Sequence, residues 1–258
     1  MEKISTRRLD LLPDIDKLKR VCQSILISYY IFTSSSREFD IEKHDETIIY
    51  SYDNGSSDFY KIFFDSNGSI IIGYTAGSLM NPLGGAMDVL GYDQVKETWP
   101  GLLDNLPQEF NKYRDMFIAD NYDENGKDIP RDNKDFVLKY TITYCIWRRY
   151  NDSKWNIGNI DFTKAINYPP EPDLDPDSSE EQLYIFSENY HNFVEWINNF
   201  YENVINKDNI KWIKYIFDHK PLKDELIIEI NQHFSEINEL NFLKRENEKI
   251  GYPIIEKI

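Results

Sequence analysis

The 258-residue chain carries 45 Asp and Glu against 29 Lys and Arg, a formal charge of −16. A field of that sign turns away nucleic acid and anionic lipid and draws in a cation or a basic protein. A hydrophobic content of 41 % with 15 % aromatics excludes a disordered chain and points to a core built largely from rings.

The stretch from Met1 to Asp14 has neither an apolar h-region nor a small-residue cleavage site, so no signal peptide is expected there. Asp14, after Pro13, caps a predicted helix over 14–30. Leu18, Val21, Cys22, Ile25, Leu26 and Tyr29 follow the i, i+3, i+4, i+7 rule along it. The longest apolar run, Ile25 to Phe32, is broken by Ser28 and is far shorter than the roughly 20 residues that cross a bilayer. No membrane role and a cytoplasmic location are therefore expected. Cys22 and Cys145 do not make a disulfide framework.

Three β-rich runs follow, Thr47–Tyr52, Phe59–Asp65 and Ile70–Tyr74. Asp53-Asn54-Gly55 and Ser66-Asn67-Gly68 join them. Asn-Gly favours a type I′ turn, with positive φ at both central residues, so an antiparallel meander is expected. A glycine-rich loop covers Thr75–Gly91, and a short helix covers Gln108–Ile118. The run Phe136–Tyr150 reads as the best strand of the chain. Phe136, Leu138, Tyr140, Ile142, Tyr144 and Ile146 form its core face, and Val137, Lys139, Thr141, Thr143, Cys145 and Trp147 a mixed, partly wet face. Trp155–Ile157 reads as its partner strand.

Between Ala165 and Asn206 there is no Lys or Arg, and there are nine carboxylates. The first part of this window, residues 168–179, holds Pro169, Pro170, Pro172 and Pro176 and reads as an extended acidic linker. Helical stripes fill the remainder: Phe193 to Val204, Ile210 to Phe217, Leu222 to Phe234, and Ile237 to Leu243. The expected fold class is α+β: an N-terminal helix and antiparallel sheet over 1–167, the linker over 168–179, and a helical region over 180–258 packed on the first part.

No motif for chemistry is complete. Asp173-Leu-Asp175-Pro-Asp177 begins like a calcium loop but has Ser178 where Gly is needed and Tyr184 where Glu is needed. Asn121-Tyr-Asp123-Glu-Asn125-Gly126 places its Gly correctly, but Pro130 interrupts it. His44, His191, His219 and His233 have no zinc spacing. Asp218-His219 suits a contact with a helix C-terminus. No phosphate loop and no nucleophile elbow is present. No metal and no cofactor is expected.

Five islands occur in order: Trp99-Pro-Gly-Leu102, Leu106-Pro-Gln-Glu-Phe110, Cys145-Ile-Trp-Arg148 with Tyr150 and Trp155, His219-Lys-Pro-Leu222, and Gly251-Tyr-Pro253. Together they resemble an uncharacterised family of bacterial cytosolic proteins. That resemblance implies a bacterial cytosolic protein and transfers no functional residue. Leu106-Pro-Gln-Glu-Phe110 and the acidic composition are also similar to a superfamily of toxin-immunity proteins.

The sequence therefore leads to an acidic protein-binding module of inhibitor or immunity type that docks a basic protein. Asp173, Asp175, Asp177, Glu180 and Glu181 are its expected contact residues, with Tyr168 or Tyr184 as an aromatic anchor. The alternative is a small hydrolase or transferase using Thr143, Cys145 and Arg149 on the mixed face of strand 136–150. It requires a pocket there. A further alternative is an acidic structural protein with no partner at this face.

Overall fold

The computed structural model describes residues 3–33, 38–55, 58–81, 98–120, 142–162, 175–201 and 204–255. In chain order they form α1 (Ile15–Thr33), β1 (Phe39–His44), β2 (Thr47–Asp53), β3 (Phe59–Phe64), β4 (Gly68–Tyr74) and α2 (Asn111–Asp120). Then come β5 (Tyr144–Arg149), β6 (Asn156–Ile157), α3 (Ser179–Leu183), α4 (Tyr190–Phe200), α5 (Ile210–Phe217) and β7 (Leu222–Lys223). The chain closes with α6 (Asp224–Ile230), α7 (Ile237–Ile250) and β8 (Ile254–Ile255). This is the expected α+β architecture: a helix, a six-stranded antiparallel sheet, then a helical region.

The sheet runs β1-β2-β3-β4-β5-β6 in sequential order. Its period-2 alternation sorts side chains to two faces. Tyr60, Ile62, Phe64, Ile71, Tyr144 and Ile146 join α1 and the C-terminal helices in one hydrophobic cluster. Phe63, Ile70, Ile72, Cys145 and Trp147 join Trp99, Leu102, Phe110, Tyr113 and Phe117 in a second. The molecule is thus three layers, with the sheet covered on both sides. The face of β5 expected to be partly wet is buried instead. Thr143, Cys145 and Trp147 are all inaccessible, because residues 98–117 lie across them. The part of the predicted strand before residue 142 falls outside the described residues.

The turns depart from the expected type. Neither Asn54 nor Asn67 has positive φ, so neither Asn-Gly forms a type I′ turn. At β3–β4 the unusual backbone falls on Gly68 alone, with φ +152°, where a Cβ would meet Arg148 O at 2.2 Å. Asp65 and Gly68 exchange two backbone hydrogen bonds across Ser66-Asn67, and the Asp65 carboxylate also accepts from the Tyr113 hydroxyl at 2.6 Å. Gly73 sits opposite Tyr144 in the β4–β5 register, and the Tyr144 ring lies where a Gly73 Cβ would be. Trp155 is buried and donates its indole N–H to Pro13 O at 2.6 Å, tying the sheet to the start of α1. Strand β1 and the small parallel pair β7–β8 have no counterpart in the sequence reading.

Candidate functional site

The acidic window is not the uniformly solvated surface that its composition implies. Tyr168 and Asp173 lie outside the described residues. Residues 175–179 fold into a turn that continues into α3, with Ser178 in the left-handed region at φ 55°. Pro176 O accepts from the Met80 amide at 3.2 Å and from the Ser78 hydroxyl at 2.9 Å. This segment is therefore pinned rather than free, which corrects the linker reading for residues 175–179.

Asp177 is fully buried and does not face an approaching protein, contrary to its expected role. Thr6 Oγ1 donates to Asp177 Oδ2 at 2.5 Å, and the Ser179 amide donates to Oδ1 at 3.0 Å. Burial, reinforced by the Asp175 charge, pushes the Asp177 carboxyl up to about 7 against these hydrogen bonds. Asp175 accepts from the Glu180 amide at 2.7 Å and the Ser179 hydroxyl at 3.2 Å, and Arg7 Nε stands 3.5 Å away. Its side chain is only 9 % exposed. Both aspartates thus act inside the molecule, holding the N-terminal segment to residues 175–180.

The N-terminal cations also answer part of the remaining charge. Lys3 Nζ lies 3.4 Å from Glu180 and 5.4 Å above the Tyr184 ring, and Lys17 Nζ lies 3.4 Å from Glu188. Tyr184 is half-buried and already carries that cation. Exposed pairs of this kind contribute little stability, but they offset part of the local charge. Glu181 differs. It is exposed, and no Lys or Arg among the described residues pairs with it.

Glu181 lines a cleft of about 180 Å³ between the helices and the β2–β3 end of the sheet. Its walls are Tyr52 from β2, Tyr60 from β3, and Trp196 and Phe200 from α4. Asp58 comes from the β2–β3 loop. The positions follow from local periodicity. Tyr52 and Tyr60 are register partners on one sheet face. Trp196 and Phe200 are four residues apart and share one side of α4. The Tyr52 and Tyr60 rings stack at 5.1 Å and 24°, and those of Trp196 and Phe200 at 5.4 Å and 18°. Tyr52 meets Trp196 edge-on at 5.9 Å, so the two stacks stand roughly perpendicular. Phe200 is 43 % exposed.

The polar groups of the cleft are held in place. Asn54 Nδ2 donates to Asp58 Oδ2 at 3.1 Å, and the Ala76 amide donates to Oδ1 at 2.9 Å. Gln182 accepts from the Tyr144 hydroxyl and donates to Tyr74 O at 3.2 Å. Burial pushes the Tyr52 phenol up, with Asp58 and Glu38 adding to it, and pushes Tyr60 up as well. Both walls stay neutral at physiological pH. Tyr52, Tyr60 and Trp196 are buried and Phe200 is the exposed ring, so the cleft presents one open aromatic face beside two carboxylates, an arrangement that attracts a cation through the ring quadrupole and Coulomb energy.

Among the described residues the Cys145 face is closed, with Thr143 and Cys145 both buried. Burial pushes the Cys145 thiol up to about 12 and the Cys22 thiol up further, where a nucleophile needs an accessible, stabilised thiolate. Thr143 is buried and donates no access either; Arg149 is exposed and pairs with Glu109 at 2.6 Å. A disulfide-exchange reagent such as DTNB is expected to modify neither cysteine in the native protein and both in denaturant. A thiol that reacts rapidly in the native state would contradict this packing. His219 follows the C-cap of α5 and its amide donates to Ile216 O at 2.8 Å, while burial first, and Arg20 second, lower the pKa of its side chain. The glycine-rich loop beyond residue 81 and the loop 121–132 lie outside the described residues. Among the described residues no group of three or more His, Cys, Asp or Glu is placed to hold a metal ion, and no helix is long and apolar enough to cross a membrane.

Comparison with protein-family models, with curated proteins and with solved structures finds no match. Sequence reasoning had one residue of the cleft, Glu181, through the acidic window. It missed Asp58, Tyr52, Tyr60, Trp196 and Phe200 as a group. The available signals were the alternation of Tyr52 and Tyr60 and the i, i+4 pair on α4, but each reads equally well as core.

Proposed function

We propose that the protein is an acidic cytoplasmic binding module, of inhibitor or immunity type, that docks a basic protein. The observation that carries this reading is the aromatic cleft whose two carboxylates, Asp58 and Glu181, have no Lys or Arg partner among the described residues. The net charge of −16 supplies long-range attraction, which raises the association rate more than it deepens affinity. The docking surface on this reading is centred on Glu181 and α4 rather than on Asp175 and Asp177. The similarity of Leu106-Pro-Gln-Glu-Phe110 to toxin-immunity proteins agrees with it. A bacterial source and an antagonistic partner remain part of the proposal.

The test is binding of a basic protein encoded beside this gene, measured by surface plasmon resonance with the full chain. The association rate is expected to fall about tenfold or more between low and physiological salt. Joint substitution Asp58→Asn and Glu181→Gln is expected to weaken equilibrium binding more than Glu42→Gln with His44→Gln on the distant β1 turn. Binding that ignores both salt and the cleft substitutions would overturn the reading.

A further inference from the structure

We infer that the cleft is a seat for a single arginine side chain presented by the basic partner, an inference that rests on the proposed function and specifies its central contact. Three observations converge on a guanidinium. The first is size. Sites for drug-sized ligands run to roughly 300–1,000 Å³, whereas this cleft is about 180 Å³, room for one long side chain and not for a nucleotide or a folded peptide turn.

The second is shape. Tyr52, Tyr60 and Trp196 are buried and packed against one another, so the flat apolar face that the cleft offers is that of Phe200, 43 % exposed and backed by Trp196 at 5.4 Å and 18°. A planar, weakly hydrated guanidinium lies against such a face and keeps its in-plane N–H groups free, whereas a compact ammonium ion must shed a tight hydration shell to do so. The third is the acceptor set. Asp58 is held rigid by Asn54 and Ala76, each of its oxygens retaining acceptor capacity. A fixed carboxylate suits the forked donors of arginine, which pair with it bidentately. Glu181, also in the cleft lining, is exposed and adjusts to the charge. Because Gln182, Asn54 and Asp58 are ordered by their own hydrogen bonds, little conformational freedom is lost when the seat fills.

The experiment is an NMR titration of the full-length protein with three blocked tripeptides that share flanking glycines and differ in the central residue: arginine, lysine, or citrulline, which has the shape of arginine without its charge. The arginine peptide is expected to shift the indole resonance of Trp196 and to bind about fivefold more tightly than the lysine peptide. The citrulline peptide is expected to bind at least about tenfold more weakly. Asp58→Asn should weaken the arginine peptide by about tenfold, and Phe200→Ala, at an exposed ring whose loss leaves the core intact, by about threefold. Glu195→Gln, outside the cleft on the same helix, should leave it unchanged.

Equal affinity for arginine and lysine, or shifts that miss Trp196, would overturn the inference. The two readings separate cleanly: a basic protein that still binds the Asp58→Asn variant with full affinity and salt dependence removes the arginine seat and leaves the docking function standing. Loss of all salt-dependent binding by the unmodified chain removes the docking function itself.

Discussion

Asp177→Asn is expected to remove the steepest part of the dependence of stability on pH. A carboxyl at about 7 in the folded protein, against an ordinary value of 3.8, holds a proton that the unfolded chain has lost between those two values. The folded state therefore binds more protons there, and stability falls as pH rises from about 4 to about 7. The surroundings set the sign. Asp177 is fully buried, its nearest charged neighbour is Asp175, and the one cation of the group, Arg7, stands against Asp175. Asparagine keeps an acceptor for the Ser179 amide and does not ionise. Urea unfolding of both proteins at intervals from pH 4 to pH 8 should give a stability difference that grows in favour of the variant as pH rises. Parallel curves would show that Asp177 is not the group responsible.

Gly73→Ala is expected to cost about 3 kcal/mol or more, at the upper end of overpacking effects. The added Cβ would stand 2.0 Å from Tyr144 Cζ and 2.2 Å from its hydroxyl oxygen. A tyrosine ring can often swing aside. This one is fully buried and donates to Gln182, which in turn donates to Tyr74 O. Moving the ring displaces Gln182, and with it one wall of the cleft. Thermal unfolding should register the loss, and the arginine-peptide affinity should fall with it. A companion Tyr144→Leu substitution should recover part of the stability, because the two changes act on one volume and do not add. A Gly73→Ala protein as stable as the parent would mean that the ring does not cover Gly73.

Elements whose information is local were legible in the sequence. Helix α1 could be read from its i, i+4 stripe, and β2, β3 and β4 from alternation and from the Asn-Gly pairs that end them, even though the turns took another geometry. Strand β1 escaped because four of its six residues, Asp40, Glu42, Lys43 and His44, are exposed, and charge hides an edge strand from a hydrophobic pattern. The wet face assigned to β5 failed for a related reason. Cys145 and Trp147 are read as mixed beside Lys139 and Thr141, and nothing nearby announces that Trp99, Leu102 and Phe110 will cover them. The acidic window misled in the opposite direction. Asp175 and Asp177 look like solvent residues beside prolines, yet their partners Thr6 and Arg7 lie about 170 positions earlier. The cleft needs β3 to pair with β2 in one register and α4 to cross that register at one height. Those are tertiary choices, and no spacing along the chain encodes them.

The two margins of the sheet limit how another molecule can join this one. At one margin, β1 turns Asp40, Glu42, Lys43 and His44 outward, and the Asp40 side chain accepts from the Ile41 amide at 2.8 Å. At the other, β6 is only two residues long. Charged or short margins resist the addition of a foreign strand. Recognition by strand augmentation is thereby discouraged at both ends, as is the edge-to-edge polymerisation that a long bare strand invites. A visitor to this molecule has to be read through its side chains rather than its backbone.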